Sequence, residues 1–140
     1  MIHLDTPEAQ RVTNEMNHYL EGATIEELIS TKRKRFYFET CLTLAECRQD
    51  ISVLDLSPRA YNCLRRTGYN TIGCLLDKCY DDESESSKKK LLKLRNLGKG
   101  TADEILIKLF FYQFDNLPKE RKKGYMKRLL ELNSGQAKTS

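Results

Sequence analysis

Apolar side chains recur along this chain every three to four residues, in segments that glycine, proline and capping residues separate. This period is typical of amphipathic helices. Two segments open in the same way, with a hydroxyl residue at the N-cap and proline at the first helical position. These openings are Thr6-Pro7 and Ser57-Pro58. They predict one helix over residues 7–21, which stops at Gly22, and another over residues 58–66, which ends by Gly68.

Other capping signals divide the rest of the chain. Thr24 and Glu27 form a capping box, and Asn70-Thr71 precedes another periodic segment. Pro118 interrupts a long apolar segment, and basic residues follow it. We therefore predict helices that begin near residues 25 and 72. A last helix, basic on one side, is predicted over residues 119–132.

The segment from Phe36 to Gln49 allows two interpretations. Its aromatic and β-branched residues favour a strand. Its length without an internal turn residue favours a helix. Because nothing else in the chain offers a strand partner, the prediction for this segment is a helix.

A glycine turn between two apolar segments is the most distinctive motif of the sequence. Leucines at residues 91–94 precede the turn Asn96-Leu97-Gly98-Lys99-Gly100-Thr101, and a helix is predicted from Thr101 to about Phe114. The two glycines permit positive φ and a close approach of the backbone to a partner. Thr101 with Glu104 fits a capping box. Backbone N–H groups, a helix N-terminus and the Lys99 ammonium would together form a phosphate-binding surface.

The phosphate can belong to a nucleotide or to a nucleic-acid backbone. The order of apolar, Gly, Lys, Gly, Thr and Ala residues is that of the helix-hairpin-helix motif. The alternative is a tight corner between helices, in which the glycines only relieve steric crowding. The glycine and lysine spacing of a Walker A loop is absent, which argues against a P-loop nucleotide site.

These elements predict an all-α protein, a compact bundle of short helices with a helix-hairpin-helix motif. N-terminal helices precede the bundle and a basic C-terminal helix follows it. We divide the chain into an N-terminal helical extension over residues 1–50, a binding domain over residues 51–133 and a flexible tail over residues 134–140. Asp81 to Lys90, an acidic run with serines and lysines, is predicted to be a solvated loop.

Composition narrows the classes of function. The net charge of +4 over 140 residues permits nucleic-acid binding without requiring it. No apolar run reaches the roughly 20 residues of a membrane span, and the N-terminus does not resemble a secretory signal. Five cysteines without CxxC spacing and only two histidines predict reduced thiols in a cytosol and no zinc site. No nucleophile–base set is present, so catalysis and a cofactor are not expected.

Polar residues line one face of the helix that follows Ser57. Arg59, Asn62 and Arg66 are spaced i, i+3 and i+7, which puts them on one stripe. Arginine binds phosphate bidentately or enters a narrow minor groove, and asparagine both donates and accepts hydrogen bonds. The alternative is an ordinary solvated face. Cys63 borders the stripe, either as a reactive thiol or as a small packing residue.

Two basic clusters lie beside aromatic residues, at Lys32-Arg33-Lys34-Arg35 and from Lys119 to Lys123. Either cluster can add electrostatic affinity for DNA. Either can equally be the solvated face of a helix.

Several short runs follow one another between Ile51 and Phe114. They are Leu54-Asp55-Leu56-Ser57, Arg59-Ala60-Tyr61-Asn62-Cys63-Leu64, Thr71-Ile72-Gly73 with Leu75-Leu76, Leu91-Leu92-Lys93, Asn96-Leu97-Gly98-Lys99 and the helix from Thr101. In content and order these runs resemble the C-terminal domain of the bacterial RNA polymerase alpha subunit. The resemblance covers about half of the chain.

The resemblance implies a compact helical domain that binds the minor groove of A/T-rich promoter DNA and docks transcription activators, sigma factor and RNA polymerase. It also implies a place in the bacterial cytoplasm, at the nucleoid. The DNA contacts that it implies fall on Arg59, Asn62, Cys63, Asn96, Gly98 and Thr101. The full predicted DNA-binding site adds three residues from the motifs themselves, Arg66, Lys99 and Gly100.

The chain departs from this family in three respects. Gly100 and Thr101 stand where the family has a second lysine and then serine, so one phosphate-directed charge is lost. The acidic loop over residues 81–87 is longer than usual. Residues before Asp50 do not resemble the alpha subunit's N-terminal assembly domain, so an ordinary alpha subunit is not expected.

The sequence therefore predicts a non-catalytic DNA-binding protein of transcription. One alternative is a protein-interaction module that binds RNA polymerase, sigma factor or an activator without contacting DNA. Another is an accessory domain of a nuclease or repair protein, built on the same helix-hairpin-helix motif. The acidic loop and the missing lysine favour the interaction module, whereas Arg59, Asn62 and Gly98-Lys99 favour DNA binding.

Overall fold

The computed structural model describes residues 6–20, 24–29, 38, 42–79 and 98–139. Its helices are α1 Pro7–Tyr19, α2 Ile25–Leu28, α3 Leu44–Cys47, α4 Pro58–Arg66, α5 Ile72–Cys79, α6 Lys99–Asp115 and α7 Lys119–Thr139, with a 3-10 helix at Ile51–Leu54. Within these residues there is no strand, and an isolated antiparallel bridge joins Asp50 to Thr71. The prediction of an all-α protein is confirmed.

The protein forms two compact units. The first unit comprises residues 1–4 and 42–112, and the second comprises residues 5–41 and 113–140, so their boundary falls inside α6. The predicted division into an N-terminal extension, a binding domain and a tail, with boundaries at residues 50 and 133, stays a prediction.

The first unit is organised by short polar bonds around an apolar core. The N–H of Ile51 donates to the carbonyl of Asn70 at 3.0 Å, and the N–H of Ile72 donates to the carbonyl of Gln49 at 2.9 Å. These two bonds join the start of the 3-10 helix to the start of α5. The apolar side chains buried in this unit include Ile51, Leu54, Ala60, Leu64, Ile72, Leu75, Ile105 and Leu109.

In the second unit α1 packs against α7. An ion pair of 2.7 Å between Lys122 and Glu15 joins the two helices, and Arg11 donates to Asp115 at 2.8 Å. The buried apolar side chains of this unit include Val12, Met16, Ile25, Leu28, Phe114, Met126 and Leu129. Apolar packing therefore supplies its core, and the ion pairs lie at the margin of that core.

Helix starts encoded by neighbouring residues form as predicted. The Thr6 hydroxyl accepts the N–H of Ala9 at 3.1 Å, and proline follows at the first helical position. Thr24 and Glu27 form the predicted capping box of α2. Because each cap needs only residues within one turn, it can be recognised without knowing the tertiary structure.

The helix predicted from Phe36 to Gln49 is wrong. Leu42 and Thr43 are not helical, and α3 occupies only Leu44–Cys47. The reason is a second capping box, in which Thr43 caps the helix and Glu46 closes the box. A threonine in extended conformation at this cap separates α3 from the residues before it.

Two other helix ends differ from the predictions. α1 ends at Tyr19, two residues before the predicted end. The predicted end of α7 at residue 132 is wrong, because the helix continues to Thr139. Residues 134–139 contain no proline, and Gly135 lies within the helix without ending it. The flexibility of residues 134–140 stays a prediction.

Candidate nucleic-acid interface

The first half of the interface is the exposed face of α4. The helix begins as predicted, because the hydroxyl of Ser57 accepts the N–H of Ala60 at 3.3 Å and Pro58 follows the cap. Ala60 and Leu64 are completely buried, and they fix the face that α4 turns to the core. The predicted stripe lies on the exposed side, at Arg59, Asn62 and Arg66.

Arg65, which is next to the stripe, has a structural role. Its guanidinium donates to the carboxylate of Asp50 at 2.6 Å, to Asn70 Oδ1 at 2.9 Å and to the Tyr61 hydroxyl at 2.9 Å. The hydrogen bond with Tyr61, followed by that with Asp50, raises the pKa of Arg65. Arg65 therefore stays charged and ties α4 to the segments on both sides of it.

The remaining predicted residues of α4 differ in exposure. Arg59 and Arg66 form no ion pair within the part of the protein that the structure describes, and both are exposed. Cys63 is 2% exposed. This burial supports the interpretation of Cys63 as a packing residue, since a reactive thiol must be accessible.

The second half of the interface is the N-terminal turn of α6. The helix begins at Lys99, and the carbonyl of Gly98 accepts the N–H of Ala102 at 3.0 Å. Residues 99–101 therefore form the first turn, in which backbone N–H groups have no acceptor inside the helix. The prediction that Thr101 caps this helix in a box with Glu104 is wrong, because Thr101 already lies within the helix.

The turn glycines do not adopt the positive φ that glycine permits. Among the glycines that the structure describes, only Gly68 has positive φ, at 88°. A Cβ built on Gly98 or on Gly100 would meet no described atom within 4 Å. Steric crowding by the described residues therefore does not explain why glycine occupies either position. The two positions leave an open backbone surface at the N-terminus of α6.

Glu104 joins the two halves of the interface. Its carboxylate accepts the backbone N–H of Ser57 at 2.6 Å and the Ser57 hydroxyl at 2.8 Å. In a capping box the acid three residues into the helix binds the N-cap N–H, but α4 has Ala60 at that position. Glu104 performs this function from another helix. The N-cap of α4 is consequently held against the second turn of α6, next to residues 99–101.

A second bond fixes the same segment one turn further along α6. Lys108 is 2% exposed, and its ammonium lies 2.9 Å from the carboxylate of Asp55. Asp55 has a left-handed φ of 57° at the end of the 3-10 helix. Residues spaced i, i+4 share one face of a helix. One face of α6 thus holds the segment before α4 at two points.

Sequence reasoning missed Glu104 and Lys108 as positioning residues. The available signal was an acid and a base at i, i+4 on a helix face that is otherwise apolar, with Ile105 and Leu109 alongside. Charged residues are rarely buried unless they are paired. An acid and a base buried on this face each need a partner, but i, i+4 spacing equally suits a pair within the helix, and the sequence does not identify Ser57 or Asp55.

Several predicted features lie outside the described residues. These are Asn96, the side chain of Lys99, the leucines at 91–94, the loop from Asp81 to Lys90 and the cluster Lys32-Arg33-Lys34-Arg35. The other basic cluster, from Lys119 to Lys123, lies at the start of α7 in the second unit.

The described residues contain neither a metal site nor a membrane-spanning helix. No group of three or more His, Cys, Asp or Glu side chains there can hold a metal ion. No helix in the same part of the protein has the length and apolarity needed to cross a membrane. Cys47, Cys63 and Cys74 are free thiols.

Comparisons with known proteins agree with the sequence resemblance. The family model for the C-terminal domain of the bacterial RNA polymerase alpha chain matches residues 41–110. The DNA-directed RNA polymerase subunit alpha of Carboxydothermus hydrogenoformans is 46% identical over 59 residues, which are 42% of this protein and 16% of that relative. The protein therefore spans a small part of the relative's length. No solved structure gives a significant match. With a family model that matches half of its residues, the protein belongs to the family of the C-terminal domain of the bacterial RNA polymerase alpha subunit.

Proposed function

We propose that this protein binds DNA in transcription without catalysing a reaction. In this proposal α4 and the first turn of α6 dock on the minor groove and phosphates of A/T-rich promoter DNA. The observation that carries the proposal is the pair of hydrogen bonds between Ser57 and Glu104, because it joins the two helix starts into one surface. Family membership supports the role in transcription.

Arg59 has the central role in this proposal. It is exposed in the first turn of α4, two residues after Ser57, to which Glu104 is bonded. A narrow A/T-rich minor groove has an enhanced negative potential that attracts arginine. Asn62, one turn further along, can hydrogen-bond at the groove, and Arg66 extends the contact to a flanking phosphate.

The N-terminus of α6 supplies phosphate contacts. Its first backbone N–H groups and the positive end of its dipole favour an anion. The open surface over Gly98 and Gly100 permits the close approach that such contacts require. The Thr101 hydroxyl, Asn96 and Lys99 complete the proposed site. Cys63 contributes to this site from the buried side of α4, where it packs in the core.

A nucleic-acid backbone suits this surface better than a single nucleotide. The stripe from Arg59 to Arg66 covers seven residue steps, which is about 10 Å of helix axis. A second element, the turn at Gly98, adds phosphate contacts to it. Repeated phosphates at fixed spacing can satisfy both elements together, whereas the phosphates of one nucleotide lie next to one another in a single short chain.

The test is a binding titration of the full protein with A/T-rich and G/C-rich duplexes over a series of salt concentrations. Each phosphate contact is expected to contribute about −0.9 to the slope of log affinity against log salt. Arg59→Ala should weaken A/T-rich binding by about 1–3 kcal/mol and reduce the preference for A/T. Arg48→Ala is the matched control, because Arg48 is also an exposed arginine of the first unit and lies outside the site. If the folded protein binds neither duplex at low salt, the proposal is wrong.

The second candidate function is a protein-interaction module, and two exposed apolar side chains favour it. In the first unit Leu44 is 67% exposed and Val53 is 43% exposed. Exposed apolar residues are candidates for contacts with RNA polymerase, sigma factor or an activator. Leu44→Ser should then reduce binding to RNA polymerase and leave DNA affinity unchanged. In either function, RNA polymerase is a proposed partner and the nucleoid in the bacterial cytoplasm is the proposed location.

A further inference from the structure

The exposed side of α7 carries a regular row of cations. Lys119, Lys123 and Lys127 are spaced i, i+4 and i+8, and all three are exposed. A neighbouring side of the helix, about a quarter of a turn away, is fixed in the second unit by buried residues, Lys122, Met126, Leu129 and Asn133. The lysine row, as we call Lys119, Lys123 and Lys127, therefore faces solvent.

The charges of this helix are compensated unequally. The ammonium of Lys122 lies 2.7 Å from the carboxylate of Glu15, and Arg128 pairs with Glu131 at 3.5 Å. Within the described part of the protein, the three members of the lysine row form no ion pair. The acids beside them in the helix are Glu120 and Glu131, and Glu131 pairs with Arg128, which leaves an excess of positive charge on this side.

The lysine row is unfavourable for the helix itself. Lys119 and Lys123 lie in the first turns of α7, where the positive end of the helix dipole disfavours cations. Like charges at i, i+4 also repel each other. Both effects are relieved when an anion binds, because the dipole and the three ammonium groups attract the same ligand. Stability of the fold therefore does not explain the arrangement.

We propose that the lysine row binds the phosphate backbone of DNA as an electrostatic contact of the second unit. Successive lysines are about 6 Å apart along the helix axis. One strand of B-DNA carries a phosphate for about every 3.4 Å of the duplex axis. A lysine row about 12 Å long therefore spans enough phosphates for all three ammonium groups. The inference rests on the proposed DNA-binding function and adds a second contact to it.

Lysine ammonium groups on phosphates provide affinity without reading sequence. This property separates the lysine row from Arg59, whose proposed contact favours A/T-rich DNA. Loss of the row should weaken binding to A/T-rich and G/C-rich duplexes by the same factor. Loss of Arg59 should weaken binding to the A/T-rich duplex more.

The experiment compares the full protein with the triple variant Lys119→Gln, Lys123→Gln, Lys127→Gln on both duplexes between about 50 and about 200 mM salt. Glutamine keeps the helix propensity of lysine. The slope of log affinity against log salt should become shallower by about 2.7, which is three phosphate contacts. The control variant Arg121→Gln, Arg128→Gln removes two exposed cations from the other flank of α7.

Equal slope changes per removed charge in the two variants would mean a general effect of net charge and overturn the proposal. An unchanged slope in the triple variant, with an intact effect of Arg59→Ala, would overturn it while leaving the proposed function in place. A shallower slope in the triple variant without any effect of Arg59→Ala would support the lysine row and contradict the proposed groove contact.

Vesicles of phosphatidylglycerol and phosphatidylethanolamine provide the remaining comparison, because an anionic membrane also attracts lysines. Binding of the full protein to DNA that depends on the row, with no comparable binding to the vesicles, supports the proposal. Vesicle binding that requires the row, combined with DNA binding that does not, would overturn it and assign the row to a membrane surface.

Discussion

The first and second units use charged side chains in different ways. In the first unit Arg65, Glu104 and Lys108 each bond to a residue of another segment, and Arg59 stays exposed beside them. In the second unit only Lys122 of the cluster at the start of α7 is buried against a partner, and its neighbours face solvent.

This difference distinguishes the two proposed sources of DNA affinity, the groove contact of Arg59 and the phosphate contacts of the lysine row. A groove contact needs a side chain held at a defined position, and the bonds around α4 provide that position. A phosphate contact by lysine needs only charge at a suitable spacing. We therefore expect the first unit to be sensitive to changes in its supporting bonds, and the second unit to tolerate changes on the exposed face of α7.

The largest effect is expected from Glu104→Ala, which removes the bond between the two helix starts. The Ser57 N–H and hydroxyl lose a charged acceptor in a partly buried place, which costs about 1.5–3 kcal/mol of unfolding free energy. Urea denaturation measures this cost. Without urea, at a temperature where the variant is still folded, affinity for the A/T-rich duplex should fall because Arg59 loses its fixed position.

Glu104→Gln is the control for that change. The amide oxygen still accepts one hydrogen bond from Ser57, so the variant should be more stable than Glu104→Ala. If both variants bind and unfold like the unchanged protein, the hydrogen bonds do not support the site, and the contrast between the two units is lost.

A smaller effect of opposite sign is expected in the second unit. Gly124 lies in the interior of α7, and a Cβ there would meet no described atom within 4 Å. Gly124→Ala should stabilise the helix by about 0.5–1 kcal/mol, because glycine loses more conformational freedom on folding than alanine. Thermal unfolding followed by circular dichroism measures the change. A decrease in stability would show that the exposed face of α7 is as constrained as the first unit.

The smallest expected effect concerns pH and the first unit. Hydrogen bonds from Ser52, followed by the contact with Arg65, lower the pKa of Asp50. A carboxylate with a lowered folded-state pKa adds stability above its unfolded pKa of about 3.9, and this stability is lost as pH falls through the folded pKa. Urea midpoints measured from about pH 6 down to about pH 2.5 should therefore fall less for Asp50→Asn than for the unchanged protein. Parallel curves for the two proteins would contradict this assignment.

Helix starts in this protein were predictable wherever the cap and its partner are close in sequence. Ser57-Pro58 and the box of Thr24 with Glu27 are examples, and the structure contains both. Thr101 and Glu104 have the same spacing, but Glu104 binds Ser57 instead. A carboxylate can satisfy a local or a distant N–H equally well, and the sequence alone does not distinguish the two.

The candidate site was partly predictable for a similar reason. Exposure of Arg59, Asn62 and Arg66 followed from helical periodicity, since Ala60 and Leu64 had to face the core. The conformation of Gly98 and Gly100 did not follow, because glycine is compatible with both signs of φ. Their contribution depends on empty space around the backbone, which only the tertiary structure reveals.

The contact between Ser57 and Glu104 has a consequence for protein engineering. A hairpin transplanted as residues 91–115 would carry the Glu104 carboxylate without its partner Ser57 and would lack α4. A transplant that retains both contacts has to include residues 55–66 as well. The new host protein then receives Ser57, the partner of Glu104, and Asp55, the partner of Lys108. The portable module is therefore two segments far apart in sequence, and a single contiguous motif does not contain it.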